Sequence, residues 1–228
     1  MILFIRHAES LSNAFNRSTL SNWVDFNHKD PKLTPVGRGQ AKEAGQFLNE
    51  WLKDNDKKIK NIYVSPMTRT METAGLIFSE VEAPKPAMVL IPDLREHHTI
   101  SIAEHGTDKT DLFNLLADQQ SPLKNFTVDT SLVTEEIWYA TEYETDDIIN
   151  ARIKLLHDRY IDKSDIDDNA DDVTIIVSHS GIGFRLLNLK TNMDNADIIA
   201  ATEKGTIKDT IFSSQYYWLN PPPDDFIP

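Results

Sequence analysis

The sequence predicts a layered α/β fold on a largely parallel sheet, and two observations carry that prediction. Four short apolar segments, Ile2-Leu3-Phe4-Ile5, Ile62-Tyr63-Val64, Met88-Val89-Leu90-Ile91 and Val173-Thr174-Ile175-Ile176-Val177, are continuous rather than alternating, the pattern of strands covered on both faces. Helical periodicities stand between them.

Taken in order, the first strand runs straight into polar Arg6-His7. Thr34-Pro35 then starts a helix, with a capping hydroxyl before a proline at the first helical position, and Ala41, Ala44, Phe47, Leu48, Trp51 and Leu52 form its apolar stripe. After the second strand Ser65-Pro66 repeats that start signal, with Met67, Met71, Ala74, Ile77 and Phe78 as the buried face. Leu112, Phe113, Leu115 and Leu116 suggest a shorter helix. Thr145 caps another, with Asp146 and Asp147 complementing the dipole and Ile149, Ile153, Leu156 and Tyr160 turned inward. The aspartate-rich run 162–172 has Ala170 where a calcium loop needs glycine and no closing glutamate, so it reads as a solvated loop. The tail Asn220-Pro221-Pro222-Pro223 cannot continue a helix or a central strand and is expected on the surface.

At 228 residues the chain is long enough for one large domain, expected to span 1–228. With 23 basic against 36 acidic residues the formal charge is −13, which argues against nucleic acid or an anionic membrane as partner. There is no cysteine, hence neither a disulfide framework nor a thiolate metal site. The apolar run before Arg6 is too short for a secretory signal, and no stretch approaches a membrane span; a cytoplasmic or nuclear setting is the expectation. Any anionic ligand must be attracted by a local pocket.

The ends of the strands supply the residues for such a pocket. The first strand ends in Arg6-His7, the second in Ser65-Pro66 with Arg69 one turn into the helix, the third leads to Glu96, and the fourth ends in Ser178-His179-Ser180-Gly181. Ligands of open parallel sheets bind outside the carboxyl ends of the strands, so these side chains fall on one edge. Two arginines, two histidines and a capping serine suit a phosphate. Neutral imidazole can be the nucleophile and hold the phosphoryl group; the arginines and the second imidazole can spread negative charge, and Glu96 can serve as acid and then as base. This chemistry needs no metal or cofactor.

At this point the residues resemble the histidine phosphatase superfamily, the phosphoglycerate-mutase-like enzymes. Arg6-His7-Ala8-Glu9-Ser10 with Asn13 is similar to the family's first-histidine signature, and Asp30-Pro31-Lys32-Leu33-Thr34-Pro35-Val36-Gly37 with Gln40-Ala41 to its helix start. Ser65-Pro66-Met67-Thr68-Arg69 with Glu72-Thr73-Ala74 resembles the second arginine motif, Leu94-Arg95-Glu96 the acid motif and Val177-Ser178-His179-Ser180-Gly181 the second-histidine motif. The resemblance implies a three-layer α/β/α fold with a mixed, mostly parallel sheet. It also implies His7 as the phosphorylated nucleophile, Arg6, Arg69 and His179 as phosphate ligands, Glu96 as proton donor, and Asn13 and the backbone of Ser180 as pocket neighbours.

Departures refine the expectation. Ala8 and Ser180 replace frequent glycines with other small residues. His97-His98-Thr99 stands where the mutase pattern has Arg-His-Tyr-Gly after its acid. The stretch Leu94 to Gly106, followed by Val128 to Val133, looks more like the phosphomutase-like branch common in fungi and plants, whose members are generally treated as phosphatases. There Glu104-His105-Gly106 occupies the place of a second acidic residue, making Glu104 a rival proton donor. His97, His98 and His105 are expected to line the substrate side rather than to bind metal. Specificity is expected in Asn13 to Asn27 and His97 to Tyr143, with Trp23, Phe26, Trp138 and Tyr139 as either pocket wall or core. A small phosphomonoester hydrolysed through phospho-His7 is the expected function; a phosphomutase and a non-catalytic phosphate-binding regulatory module are the alternatives. Oligomeric state is not legible.

Overall fold

The computed structural model describes residues 1–18, 27–99, 101–121, 123–161, 171–201 and 207–214. Trp23, Phe26, most of the aspartate-rich run and the proline tail lie outside them. The described strands are β1 (Ile2–Arg6), β2 (Lys58–Val64), β3 (Met88–Leu90), β4 (Val128–Asp129), β5 (Asp172–Ser178), β6 (Ile198–Ala201) and β7 (Ile207–Phe212). The helices are α1 (Leu11–Ser18), α2 (Pro35–Asp54), α3 (Thr68–Glu80), α4 (Lys109–Ala117), α5 (Asp146–Leu156) and α6 (Ser180–Leu186).

One sheet holds all seven strands in the order β4-β3-β2-β5-β1-β6-β7. From β4 to β1 every pairing is parallel; β6 runs antiparallel to β1, and β7 antiparallel to β6. The sheet is thus mixed and mostly parallel, as expected. The two antiparallel strands and the two-residue β4 had no clear sequence signal, because Ile198-Ile199-Ala200-Ala201 is short and alanine-rich and Ile207–Phe212 is half polar.

Alternation along β1 shows how the layers form. Leu3 and Ile5 pack with Ala41, Ala44 and Leu48 of α2 and Met71, Ala74 and Ile77 of α3. Ile2 and Phe4 pack on the opposite face with Ile149, Ile153 and Leu156 of α5 and Ile182 and Leu186 of α6. Helices therefore cover both faces, the physical reason the strands are apolar throughout.

Two helix starts behave as the sequence predicts. Thr34 Oγ1 accepts from Gly37 N at 2.9 Å above Pro35, and donates to Glu9 Oε1 at 2.6 Å. Gly37 is obligatory, since a Cβ there would lie 2.0 Å from Glu9 O. Thr145 caps α5 through Ile148 N at 3.4 Å. That helix ends at Leu156, and one π turn, His157–Ile161, carries the chain past Tyr160. The third start differs. Met67, not Ser65, occupies the cap position of α3, and Asp30 arrives from a distant loop to accept from Thr68 N at 2.9 Å and Thr68 Oγ1 at 2.8 Å.

Candidate active site

β1, β2 and β5 are adjacent parallel strands, so their carboxyl ends open on one edge. Next to them lies a cavity of about 120 Å³ lined by Arg6, His7, Ser12, Asn13, Arg69, Glu96, Ser101, Ala103 and Glu104. Three stretches far apart in sequence, 6–13, 69 and 96–104, thus meet. The volume admits a phosphoryl group.

His7 is buried, and its Nδ1 lies 2.7 Å from Ala8 O. A carbonyl only accepts, so Nδ1 carries the proton and Nε2 keeps the lone pair. Burial, with Arg69 and Arg6 beside it, holds the ring well below the ordinary histidine pKa, so it is neutral at physiological pH. Arg6 donates through Nη1 to Met193 O, while its Nε is buried with no hydrogen-bond partner among the described residues. Arg69, in the first turn of α3, is buried and donates to Ala103 O at 3.0 Å. Burial lowers both arginines from their ordinary value, and Glu96 opposes that lowering in each.

Asn13 comes from α1. Its Oδ1 accepts from Ser10 N at 3.1 Å, Ser10 Oγ at 3.0 Å and Asn195 Nδ2 at 3.2 Å, which orients the amide and leaves Nδ2 as the group it can offer a ligand. Glu96 accepts from His97 N at 2.8 Å and from Gly181 N at 3.4 Å. Gly181 permits this approach, because a Cβ there would lie 2.4 Å from Glu96 Oε1.

Three expected pocket residues sit behind the cavity. Fully buried His179 shares a hydrogen bond between Nε2 and Ser65 Oγ at 2.9 Å, and its ring stands edge-on to His7 with centroids 5.1 Å apart. Its Nδ1 has no hydrogen-bond partner among the described residues, and burial with Arg69 nearby keeps the ring well below the ordinary value. Ser65 is therefore neither a helix cap nor a wall of the cavity; it holds His179. Ser180 Oγ accepts from Met193 N at 3.2 Å. These roles arise because β2 and β5 are neighbours, which brings Ser65 onto His179.

The cavity, the neutral His7 and the two arginines make a small cationic edge that can receive an anion. A family model described as histidine phosphatase superfamily (branch 1) matches residues 2–121, more than half of the chain. The chain belongs to the histidine phosphatase superfamily. A "Probable phosphoglycerate mutase" from Arthroderma benhamiae is 27% identical over 130 residues, 57% of this chain and 38% of that protein. This chain thus matches well under half the length of that relative. Among solved structures, ecdysone phosphate phosphatase from Bombix mori superposes with a TM-score of 0.56 at 15% identity, covering 94% of this chain and 95% of that one. Phosphoglycerate mutase from Bacillus anthracis str. Sterne gives 0.56 at 20% identity over 92% and 91%. At such identities the structures share the superfamily fold.

Around this superfamily core, the residues after Glu96 build the rest of the wall. A single turn, Ile102–Glu104, supplies both Ala103 O to Arg69 and the Glu104 carboxylate to the cavity. Thr99 donates to Glu104 from its N and, at 3.1 and 3.2 Å, from its Oγ1. Burial and the nearby Glu96 push the Glu104 carboxyl up to about 7 against the Thr99 hydrogen bonds. His98 Nδ1 lies 3.2 Å from Glu104 Oε2 without hydrogen-bond alignment.

The expectation that His97, His98 and His105 line the substrate side is not met. His97 Nε2 donates to Glu144 O at 2.7 Å, buried His98 backs Glu104, and His105 stacks on Tyr139. Trp138 and Tyr139 belong to the core; Trp138 donates to Thr107 O, and a Cβ at Gly106 would lie 2.4 Å from its ring. Sequence reasoning missed Glu144 and Arg152, and for Asp30 it missed the role at the start of α3. Arg152 carried a readable signal, a lone arginine on the buried stripe of α5 beside Ile149 and Ile153.

Proposed function

We propose that the chain is a phosphomonoesterase that carries the phosphoryl group on His7 Nε2. The supporting observation is the Nδ1 to Ala8 O hydrogen bond, which aims a neutral, lone-pair nitrogen into a small cavity between two arginines. Arg6, Arg69 and Asn13 Nδ2 hold the phosphoryl oxygens, with His179 packed against His7. Nε2 attacks phosphorus as the ester P–O bond breaks, and the departing alkoxide takes a proton from Glu96. The same carboxylate then removes a proton from water, which attacks phosphorus and breaks the P–N bond. Glu96 is favoured as donor because it is the carboxylate whose field reaches both arginines, and hence the phosphoryl position. Glu104, with its carboxyl pushed up to about 7, is the second candidate. The mutase alternative would require the site to hold a further anionic group. The described lining offers only two cations, both engaged by the phosphoryl group, which favours hydrolysis of a small monoester.

The test is hydrolysis of p-nitrophenyl phosphate without added metal. His7→Ala should reduce kcat at least ~1000-fold, since loss of a covalent nucleophile leaves only binding and oxyanion effects. Turnover surviving that change would remove His7 from the role. Glu96→Gln should slow alkyl phosphates far more than p-nitrophenyl phosphate, and the same comparison for Glu104→Gln separates the two donors.

A further inference from the structure

The electrostatics of the cavity bear on which phosphomonoester it accepts, an inference that rests on the phosphatase reading above. Arg6 and Arg69 are the cations among the described lining residues, and a phosphoryl dianion neutralises both. His7 and His179 are neutral. Among the described lining residues, those left to face the alcohol half of the substrate are Ser12, Asn13, Ser101, Glu96 and Glu104.

Of these carboxylates Glu96 is held against the start of α6, whereas Glu104 stands on its own turn, tied back by Thr99 rather than by a cation. No arginine or lysine is paired with it among the described ion pairs; its closest charged or titratable neighbours are His98, Arg69 and Glu96. We propose that Glu104 is a specificity-determining residue that turns away phosphomonoesters whose alcohol carries a carboxylate or a second phosphate. The substrate is accordingly a phosphomonoester of an uncharged alcohol, such as a polyol or a sugar. The mechanism is like-charge repulsion in a half-buried site, where an anion several ångströms away costs on the order of a tenfold factor in kcat/KM. The chain's charge of −13 acts in the same sense at longer range.

Glycerol 3-phosphate and 3-phosphoglycerate test this directly, because both release an alkyl alcohol and a proton-donor role for Glu104 cancels in their ratio. Above about pH 8 the wild-type chain should prefer glycerol 3-phosphate by roughly tenfold in kcat/KM, and Glu104→Gln should bring the ratio close to one. A second measurement needs no variant. As Glu104 ionises between about pH 6 and about pH 8, with Glu96, Arg69, His98 and, behind His98, His105 as its neighbours, the wild-type ratio should climb with pH. Equal or better use of 3-phosphoglycerate, a ratio unmoved by Glu104→Gln in folded protein, or a ratio flat with pH would overturn the assignment. Should p-nitrophenyl phosphate itself resist hydrolysis, or its hydrolysis survive His7→Ala, the phosphatase reading fails, and that outcome is distinct from a wrong ratio.

Discussion

At the scale of single residues, the chemistry rests on which nitrogen of His7 carries the proton. The Ala8 carbonyl decides it, and the depressed pKa keeps the ring neutral, as the proposed nucleophilic role requires. Stability depends on pH through the same shift. His7 and His179 resist protonation in the folded chain, so their contribution is intact above the ordinary histidine value of 6.5 and is lost as pH falls below it. Gly181 has a comparable weight. Gly181→Ala would place a Cβ within 2.4 Å of Glu96 Oε1 and force the carboxylate aside. Because misplacement by about 1 Å can cost 100-fold, kcat for an alkyl phosphate should drop roughly 10- to 100-fold with circular dichroism unchanged. An unaltered kcat would mean that the Glu96 position is not critical.

At the scale of elements, α5 acts on the site from the opposite layer. Arg152 donates to Asp93 O at 2.9 Å, Arg95 O at 2.6 Å and Glu144 Oε2 at 2.8 Å, while Arg95 holds Glu144 Oε1 at 2.7 Å. This buried cluster fastens the strand-to-turn segment that carries Glu96. Burial and the neighbouring Arg95 push the Arg152 guanidinium down to about 10, so it stays charged at working pH. Arg152→Met would leave Glu144 and the carbonyls of Asp93 and Arg95 without that donor, a loss of about 3–5 kcal/mol for a broken buried pair. The denaturation midpoint should fall accordingly. Alkyl phosphate turnover should fall more than that of p-nitrophenyl phosphate, with partial rescue by Arg152→Lys. Equal losses on both substrates would reduce Arg152 to a structural role.

At the scale of the molecule, a charge of −13 surrounds the cavity proposed to bind a phosphoryl dianion. Long-range repulsion should slow encounter, and salt screens it. Raising KCl from about 20 to about 150 mM should therefore increase kcat/KM for a phosphomonoester by roughly twofold to threefold. A fall instead would mean that the field of Arg6 and Arg69 governs capture. The sheet order has a related consequence: β5 enters late in the chain yet lies between β2 and β1, so the second histidine reaches a site whose other parts come from the first half. The family match over residues 2–121 thus ends before His179.

Residue order alone was enough for the layered α/β class, four of the strands, the starts of α2 and α5, and the cationic and imidazole groups of the site. Those features are local, written as continuous apolar runs, caps and polar breaks at strand ends. It was not enough for the antiparallel strands β6 and β7, whose short and partly polar stretches become strands by pairing with β1 and with each other. Nor could it separate the wall of the cavity from the residues that stand behind it. Ser65 follows a strand and precedes a proline, as a helix cap would, yet a neighbouring strand presents His179 to it. The cap falls to Asp30, which also accepts from Thr107 N and Oγ1 and so ties α3 to the turn bearing Glu104. Side chains far apart in sequence become partners through strand order and packing, and that order is a property of the whole folded chain.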